Sequence, residues 1–307
     1  LLQDMAYALE NNFEMGSQEQ GVFVNLLLGS KEERKFIDTI LYDYSDQAPK
    51  HLDLSSTPTI TEIGLEVQTE LRTLNVTGLT NLKRLGIDAA NFLEEIIGLE
   101  TCTALETLYI GDSSSVGDHQ NERYGYFMDT QLQLDNFDWK KFNRQLEKLP
   151  HLKTLGIDSS VAKIKCTLPE SLRTVDIDEC ASFDVVWPDG MEEVFSHGWS
   201  THLDIETILA LPNIQHVSLN TPHNLSNVIT LPKKSTVQII ELNLKGHSLG
   251  NIENLSNYDN LKELYLQQVD VLATEFKCLK GRGLTYLGFN QSSLLQNEQI
   301  DSYLSTL

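Results

Sequence analysis

The stretch Leu79-Thr80-Asn81-Leu82-Lys83-Arg84-Leu85-Gly86-Ile87 sets the frame in which the rest of the chain is read. Leu82, Leu85 and Ile87 stand in the order apolar-x-x-apolar-x-apolar, the last two alternating as in a half-buried strand. The frame recurs at Leu71-Leu74-Val76, Leu105-Leu108-Ile110, Leu152-Leu155-Ile157, Leu172-Val175-Ile177, Ile214-Val217-Leu219, Ile239-Leu242-Leu244, Leu261-Leu264-Leu266 and Leu284-Leu287-Phe289. Weaker copies, each lacking one anchor, lie at Leu52-Leu54, Leu132-Leu134 and Met191-Val194. From residue 82 onward the frame starts are 19 to 25 residues apart. Two inward residues per strand are too few to form a core, so burial must be completed by neighbouring copies, and a fixed period in the twenties predicts stacked units in a parallel solenoid.

The motifs LTNLKRLGI (Leu79 to Ile87), LETLYI (Leu105 to Ile110), LKTLGI (Leu152 to Ile157) and LKELYL (Leu261 to Leu266) resemble the leucine-rich repeat family over residues 49 to 307. LPESLRTVDI (Leu168 to Ile177), followed 19 residues on by WPDGMEEVFS (Trp187 to Ser196), looks like the short repeats of bacterial members, secreted effectors included. The resemblance implies an α/β fold, a horseshoe of about 11 to 12 irregular repeats with a parallel sheet on the concave face. One departure stands out: the family's turn asparagine, eight residues after the frame start, is replaced by residues such as Ala90, Ser113, Phe137, Cys180 and Trp199. Irregular turns are therefore expected. The interval from Leu71 to Leu82 is only 11 residues and reads as an irregular early turn.

Aspartate plus glutamate outnumber lysine plus arginine by 44 to 23, a net charge of −21, which repels a nucleic-acid backbone. No apolar run approaches the 18 to 20 residues of a membrane-spanning helix, and no basic leader with a cleavage site precedes the repeats, which favours a cytoplasmic location with a secreted effector as the other option. Cys102, Cys166, Cys180 and Cys278 lack the spacing of a zinc site or a clustered cap and read as buried free thiols. The capping-box sequence Ser30-Lys31-Glu32-Glu33, followed by Phe36, Ile37, Ile40, Leu41 and Tyr44 at helical spacing, predicts a helix from Lys31 to Tyr44. With the helical spacing of Leu1 to Phe13, residues 1 to 48 read as a helical N-terminal cap or the remnant of a neighbouring domain. Glu298 to Leu307 reads as a closing helix.

No phosphate loop, paired-histidine zinc helix, nucleophile elbow or Cys-x-x-Cys pair is present, and neither a cofactor nor a resident metal is expected. Strand alternation turns frame positions 3, 5 and 7 outward. Position 5 then carries Asp53, Asn75, Tyr109, Asp176, Phe195, Asn243 and Tyr265, position 7 carries Asp135, Asp158, Asp178 and His197, and position 3 carries Glu193, His216, Glu241, Glu263 and Tyr286. Asp135, Asp158 and Asp178 thus stack in three consecutive repeats, with Asp176 beside the last. Stacked carboxylates raise one another's pKa, so the column is a solvated face, a dock for a lysine- and arginine-rich partner, or a divalent-cation site. Trp199 borders the same face, whereas Phe137 is expected to turn inward.

These residues point to a non-catalytic protein-interaction scaffold. Tyr109, Phe195, Trp199 and Tyr265 would anchor a partner protein, with His197, His216 and Asn243 alongside, and the aspartates would steer a basic surface toward them. The alternative is the recognition domain of a larger bacterial effector or toxin-system protein whose catalytic part lies outside the chain. A third option, acid-base chemistry by His197, His216, Asp176 and Asp178, is the weakest.

Overall fold

The computed structural model describes residues 39–42, 50–65, 71–88, 92–111, 134–196, 203–222, 228–230, 232, 236–245, 250–267, 269–271 and 283–290. The chain divides into two units, 1–152 and 153–307.

In the first unit two strand series alternate: β1 (Thr39–Tyr42), β2 (His51–Asp53), β3 (Glu62–Leu65), β4 (Thr73–Asn75), β5 (Arg84–Asp88), β6 (Glu95–Ile97) and β7 (Thr107–Gly111). The odd-numbered strands pair in parallel as β1-β3-β5-β7, and the even-numbered ones form their own parallel sheet, β2-β4-β6. The frames at Leu52 and Leu71 belong to this side sheet, so the 11-residue interval is half a repeat rather than an irregular turn. Each complete turn contributes one strand to either sheet. A main-sheet rung that departs from the sequence frames is Ile60-Ile63-Leu65, whose side chains are 0–1% exposed.

Where a helix from Lys31 to Tyr44 is expected, residues Thr39–Tyr42 are strand, with Ile40 opposite Ile63 and Tyr42 opposite Leu65. A threonine, an isoleucine and a tyrosine beside an available strand favour pairing over helical spacing. The other residues of the expected cap, like the closing helix at Glu298 to Leu307, lie outside the described residues.

Of the frame at Leu132-Leu134 only Leu134 lies within the described residues; it is buried, and a turn leads from it into α1 (Trp139–Leu146). The ladder places that helix. Arg72 N donates to Lys50 O, Glu94 N to Arg72 O, and Asp138 N to Glu94 O at 2.8 Å, so Asp138 occupies the rung where another side strand would begin. Its carboxylate then accepts from Lys141 N at 2.9 Å and caps the helix. Phe137, Trp139 and Phe142 pack together inside, Phe137 6% exposed as the sequence suggested. Lys141 pairs with Glu95, and the Gln145 amide donates to Ile96 O and the Glu100 carboxylate. Burial alone would raise the Glu100 carboxyl, but the Gln145 hydrogen bond, its own backbone and Lys148 and Lys141 hold it below its ordinary value.

The second unit opens on two long strands, β8 (Thr154–Thr167) and β9 (Thr174–Val186), followed by β10 (Glu193–Ser196), a short helix α2 (Ile205–Leu209), β11 (His216–Pro222), β12 (Val228–Thr230), β13 (Ile239–Lys245), β14 (Gly250–Glu253), β15 (Glu263–Gln267), β16 (Val269–Val271) and β17 (Tyr286–Asn290). The main order is β8-β9-β10-β11-β13-β15-β17, all parallel, with β12-β14-β16 as a side sheet. Leu155, Val175, Val194, Val217, Ile240 and Leu264 are all 0% exposed in register, one per rung. Each contributes roughly 1.5–3 kcal/mol by leaving water, which no isolated repeat could assemble.

The backbone ladder Gln215 N to Glu192 O, Gln238 N to Gln215 O and Lys262 N to Gln238 O fixes the register of β13. It sets Ile239 opposite His216 and Leu242 opposite Leu219. The working frame there is Val237-Ile240-Leu242, two residues earlier than the sequence frame at Ile239. A slip of two keeps each side chain on its face but changes its column. Cys102, Cys166 and Cys180 are buried and outside any disulfide, and burial, with Glu100 adding to it against the Thr101 hydroxyl, pushes the Cys102 thiol up to about 12. At neutral pH the Cys102 thiol is therefore held protonated. Among the described residues no helix is long and apolar enough to cross a membrane.

Candidate protein-interaction face

In the second unit two adjacent columns of outward positions run unbroken from β9 to β17. One runs Thr174, Glu193, His216, Ile239, Glu263, Tyr286 and the other Asp176, Phe195, Ser218, Glu241, Tyr265, Gly288. Neighbours within a column are one strand spacing apart, about 4.8 Å. Neither column contains a lysine or an arginine.

His216 is the centre of the face. Its ring meets Phe195 edge-on, centroids 4.7 Å apart, and its Nε2 is shielded from solvent with no hydrogen-bond partner among the described residues. Burial pushes His216 below its ordinary value of 6.5, while Glu241, Glu193 and Glu263 pull it the other way. Among the described residues two of these glutamates accept from neutral groups: Thr174 Oγ1 donates to Glu193 at 3.1 Å and Ser218 Oγ to Glu241 at 2.8 Å. No ion pair among the described residues involves them.

At the far edge Tyr286 is 52% exposed. A β-carbon at Gly288 would lie 2.5 Å from Tyr265 Cδ2 and 3.0 Å from Tyr286 Cε1, so both rings lie over the glycine. The Tyr265 hydroxyl reaches Gln267 Oε1 at 3.3 Å.

The aspartate column does not form as expected. Asp135 is exposed in the turn before α1, in the first unit, and shares no strand position with Asp158 or Asp178. Asp158 is half-buried near the end of the regular part of β8, and the register slips between Ile157 and Ser159, where β9 carries an extra residue. Asp178 falls in that bulge. Asp176 is 9% exposed rather than open, in register between Gly156 and Phe195. Among the described residues no three or more His, Cys, Asp or Glu side chains gather in an arrangement able to hold a metal ion.

Tyr109 lies on the outward face of the first unit, in register with Gly86 and, through it, Gly64. Asp53 and Asn75 belong to the side sheet, where each accepts a turn hydrogen bond at 3.0 Å, from Ser55 N and Thr77 N. Asn243 stands opposite Asn220 in the third outward position, one column away from that expected, and Glu241 takes its place. His197 and Trp199 lie outside the described residues. Of the groups considered for acid-base chemistry, His216 and Asp176 are separated by Phe195, which is in register with Asp176 and in contact with His216. The residues underweighted in the sequence are Glu193, Glu241 and Glu263. Their signal was present at position 3, where acids alternate with a histidine.

The stacked leucine frame, the parallel order in both units and the side sheets together define a leucine-rich repeat solenoid. No protein-family model matches the chain, and no curated protein does. Among solved structures it is similar to an internalin from Listeria monocytogenes, at 12% identity over 90% of this chain and 89% of that one, with a TM-score of 0.42. It is also similar to a Leptospira interrogans leucine-rich repeat protein, at 14% identity over 84% and 74% of the two chains and a TM-score of 0.34. The plant peptide hormone receptor RGFR1 in complex with RGF2 matches at 13% identity over 81% of this chain and 50% of that one, with a TM-score of 0.30.

Proposed function

We propose that the protein is a non-catalytic interaction scaffold that binds a partner protein with a basic surface on the outward sheet face of its second unit. The observation that carries this reading is the set of three carboxylates, Glu193, Glu241 and Glu263, around His216 with no lysine or arginine in either column. Uncompensated charge of one sign steers an oppositely charged partner, and aromatic side chains at the same place supply contact area at low entropic cost. Phe195, Tyr265 and Tyr286 are those anchors, and Asp158 adds charge at the margin.

The test is capture of a purified host partner by the full chain and by the triple variant Glu193→Lys, Glu241→Lys, Glu263→Lys. The expected result is loss of capture in the triple variant, retained capture with Glu62→Lys on the first unit, and wild-type binding that weakens with added salt. Undiminished capture by the triple variant overturns the assignment of the face.

A further inference from the structure

We infer that His216 is an acid-operated latch of the outward face: on protonation its ring leaves Phe195 and turns to the Glu241 carboxylate. Three observations on neighbouring strands carry the latch. The imidazole meets Phe195 edge-on, centroids 4.7 Å apart and planes at 82°. Its Nε2 is closed to solvent and has no hydrogen-bond partner among the described residues. Glu241 already reaches across to the histidine's own strand, where Ser218 Oγ, two residues beyond His216, donates to its carboxylate at 2.8 Å.

A neutral imidazole tolerates this position with its proton on Nδ1, because Nε2 is then a bare acceptor and carries no charge. The second proton changes the balance. It falls on Nε2, and a charged N–H enclosed without an acceptor is far more costly than a neutral atom. Turning about the side-chain torsions takes the ring off Phe195 and gives that N–H a carboxylate. Glu193 is the neighbour of His216 on the other side, but its carboxylate is drawn away toward β9, where Thr174 Oγ1 donates at 3.1 Å. Glu263 lies beyond Ile239 in the same column. Glu241 is the acceptor within reach.

The ionisable groups around the ring are Glu193 from β10, Glu241 from β13 and Glu263 from β15, with Asp176 of β9 behind Phe195. All are acids. They favour the charged ring, whereas burial opposes it and prevails, so His216 takes its proton only below its ordinary value of 6.5. Glutamates in water titrate at about pH 4.3, which leaves a window in which the histidine changes charge first. The use of the latch rests on the interaction reading above. Once it opens, Phe195 loses its cover and the imidazolium offsets one carboxylate, so the face becomes less acidic and more apolar.

The experiment is proton NMR of the unmodified full chain between pH 7.5 and pH 5. It follows the His216 Cε1–H resonance, assigned by comparison with His216→Gln, together with its cross-relaxation to the Phe195 ring. We expect the cross-peak to be lost in step with the histidine titration, to survive that titration in Glu241→Leu, and to be lost as in the wild type in Glu263→Leu. A cross-peak that persists through the wild-type titration, a resonance that does not titrate above pH 5, or equal loss in Glu241→Leu overturns the inference; the first two use the unmodified chain and need no variant to fold. The ring measurement also needs no partner. If the triple lysine variant loses its partner while the wild-type cross-peak survives acidification, the interaction face stands and the latch does not; the converse pair of results keeps the latch and removes the face.

Discussion

The outward faces of the two units are built on the same buried frame and differ in their charge. In the first, Glu62, Arg84 and Thr107 share one column and Gly64, Gly86 and Tyr109 the next, so an acid stands opposite a base and two of the three central positions have no side chain. In the second, four acids, three aromatic side chains and one histidine stand in the corresponding columns, with no lysine or arginine among them. The contrast separates two kinds of constraint. Inward positions are dictated by close packing, which tolerates little change of volume. Outward positions are under weaker packing constraint, so like charge gathers there at modest cost to folding.

The largest test of this division is in the frame itself. Leu85→Ala in the first unit and Leu264→Ala in the second should each cost about 2–5 kcal/mol, read from urea unfolding followed by circular dichroism. Markedly unequal losses would break the claim that one frame supports both units.

A sharper comparison uses two glycines in equivalent columns. At Gly86 a β-carbon has only Ile63 O near, at 4.0 Å, whereas at Gly288 it collides with the tyrosine rings. Gly288→Ala should destabilise by about 1–2 kcal/mol and shift the Tyr265 ring resonances, while Gly86→Ala should be neutral or stabilising by about 0.5 kcal/mol. Equal behaviour would mean that the aromatic pair is not held over β17.

Smaller still is the acid response of the second unit. His216 has its folded value depressed, so the unfolded chain takes the proton first, and stability present at neutral pH is lost as pH falls through the ordinary value of 6.5. His216→Gln should flatten that part of the pH profile, measured as the urea midpoint between pH 7.5 and 5.5; an unchanged slope removes the histidine from the account. Least of all, Asp184→Asn should leave the unfolding midpoint where it is. Its pair with Lys165 at 2.8 Å is almost fully in water, at 81% and 71% exposure.

Much of this was legible in the letters. The spacing of Leu82, Leu105, Leu152, Ile214 and Leu261 implies stacked parallel strands, because no other packing uses so regular an apolar pair. The interior position of Phe137 and the burial of Cys180 followed from the same frame, and the burial of Cys102 from the lack of zinc or cap spacing among the cysteines. The side sheet was harder to see: Leu52-Leu54 and Leu71-Leu74-Val76 carry the main-sheet pattern at half a repeat's offset, and apolar spacing alone does not distinguish one face of a solenoid from another. The strand at Thr39–Tyr42 was misread because four residues satisfy both periodicities and only a neighbour, β3, decides between them.

What the chain determined by itself is the inward pattern and the parity of every strand residue, since burial and alternation are properties of local sequence. What only tertiary structure decided is which outward residues meet. The bulge after Ile177 took Asp178 out of register with Asp158, and the two-residue slip at β13 moved Glu241 from the His216 column to the Ser218 column and set Ile239 opposite His216. Parity survives such shifts but column does not, because a column is set by backbone hydrogen bonds between strands about twenty residues apart, and no single stretch of sequence contains both partners.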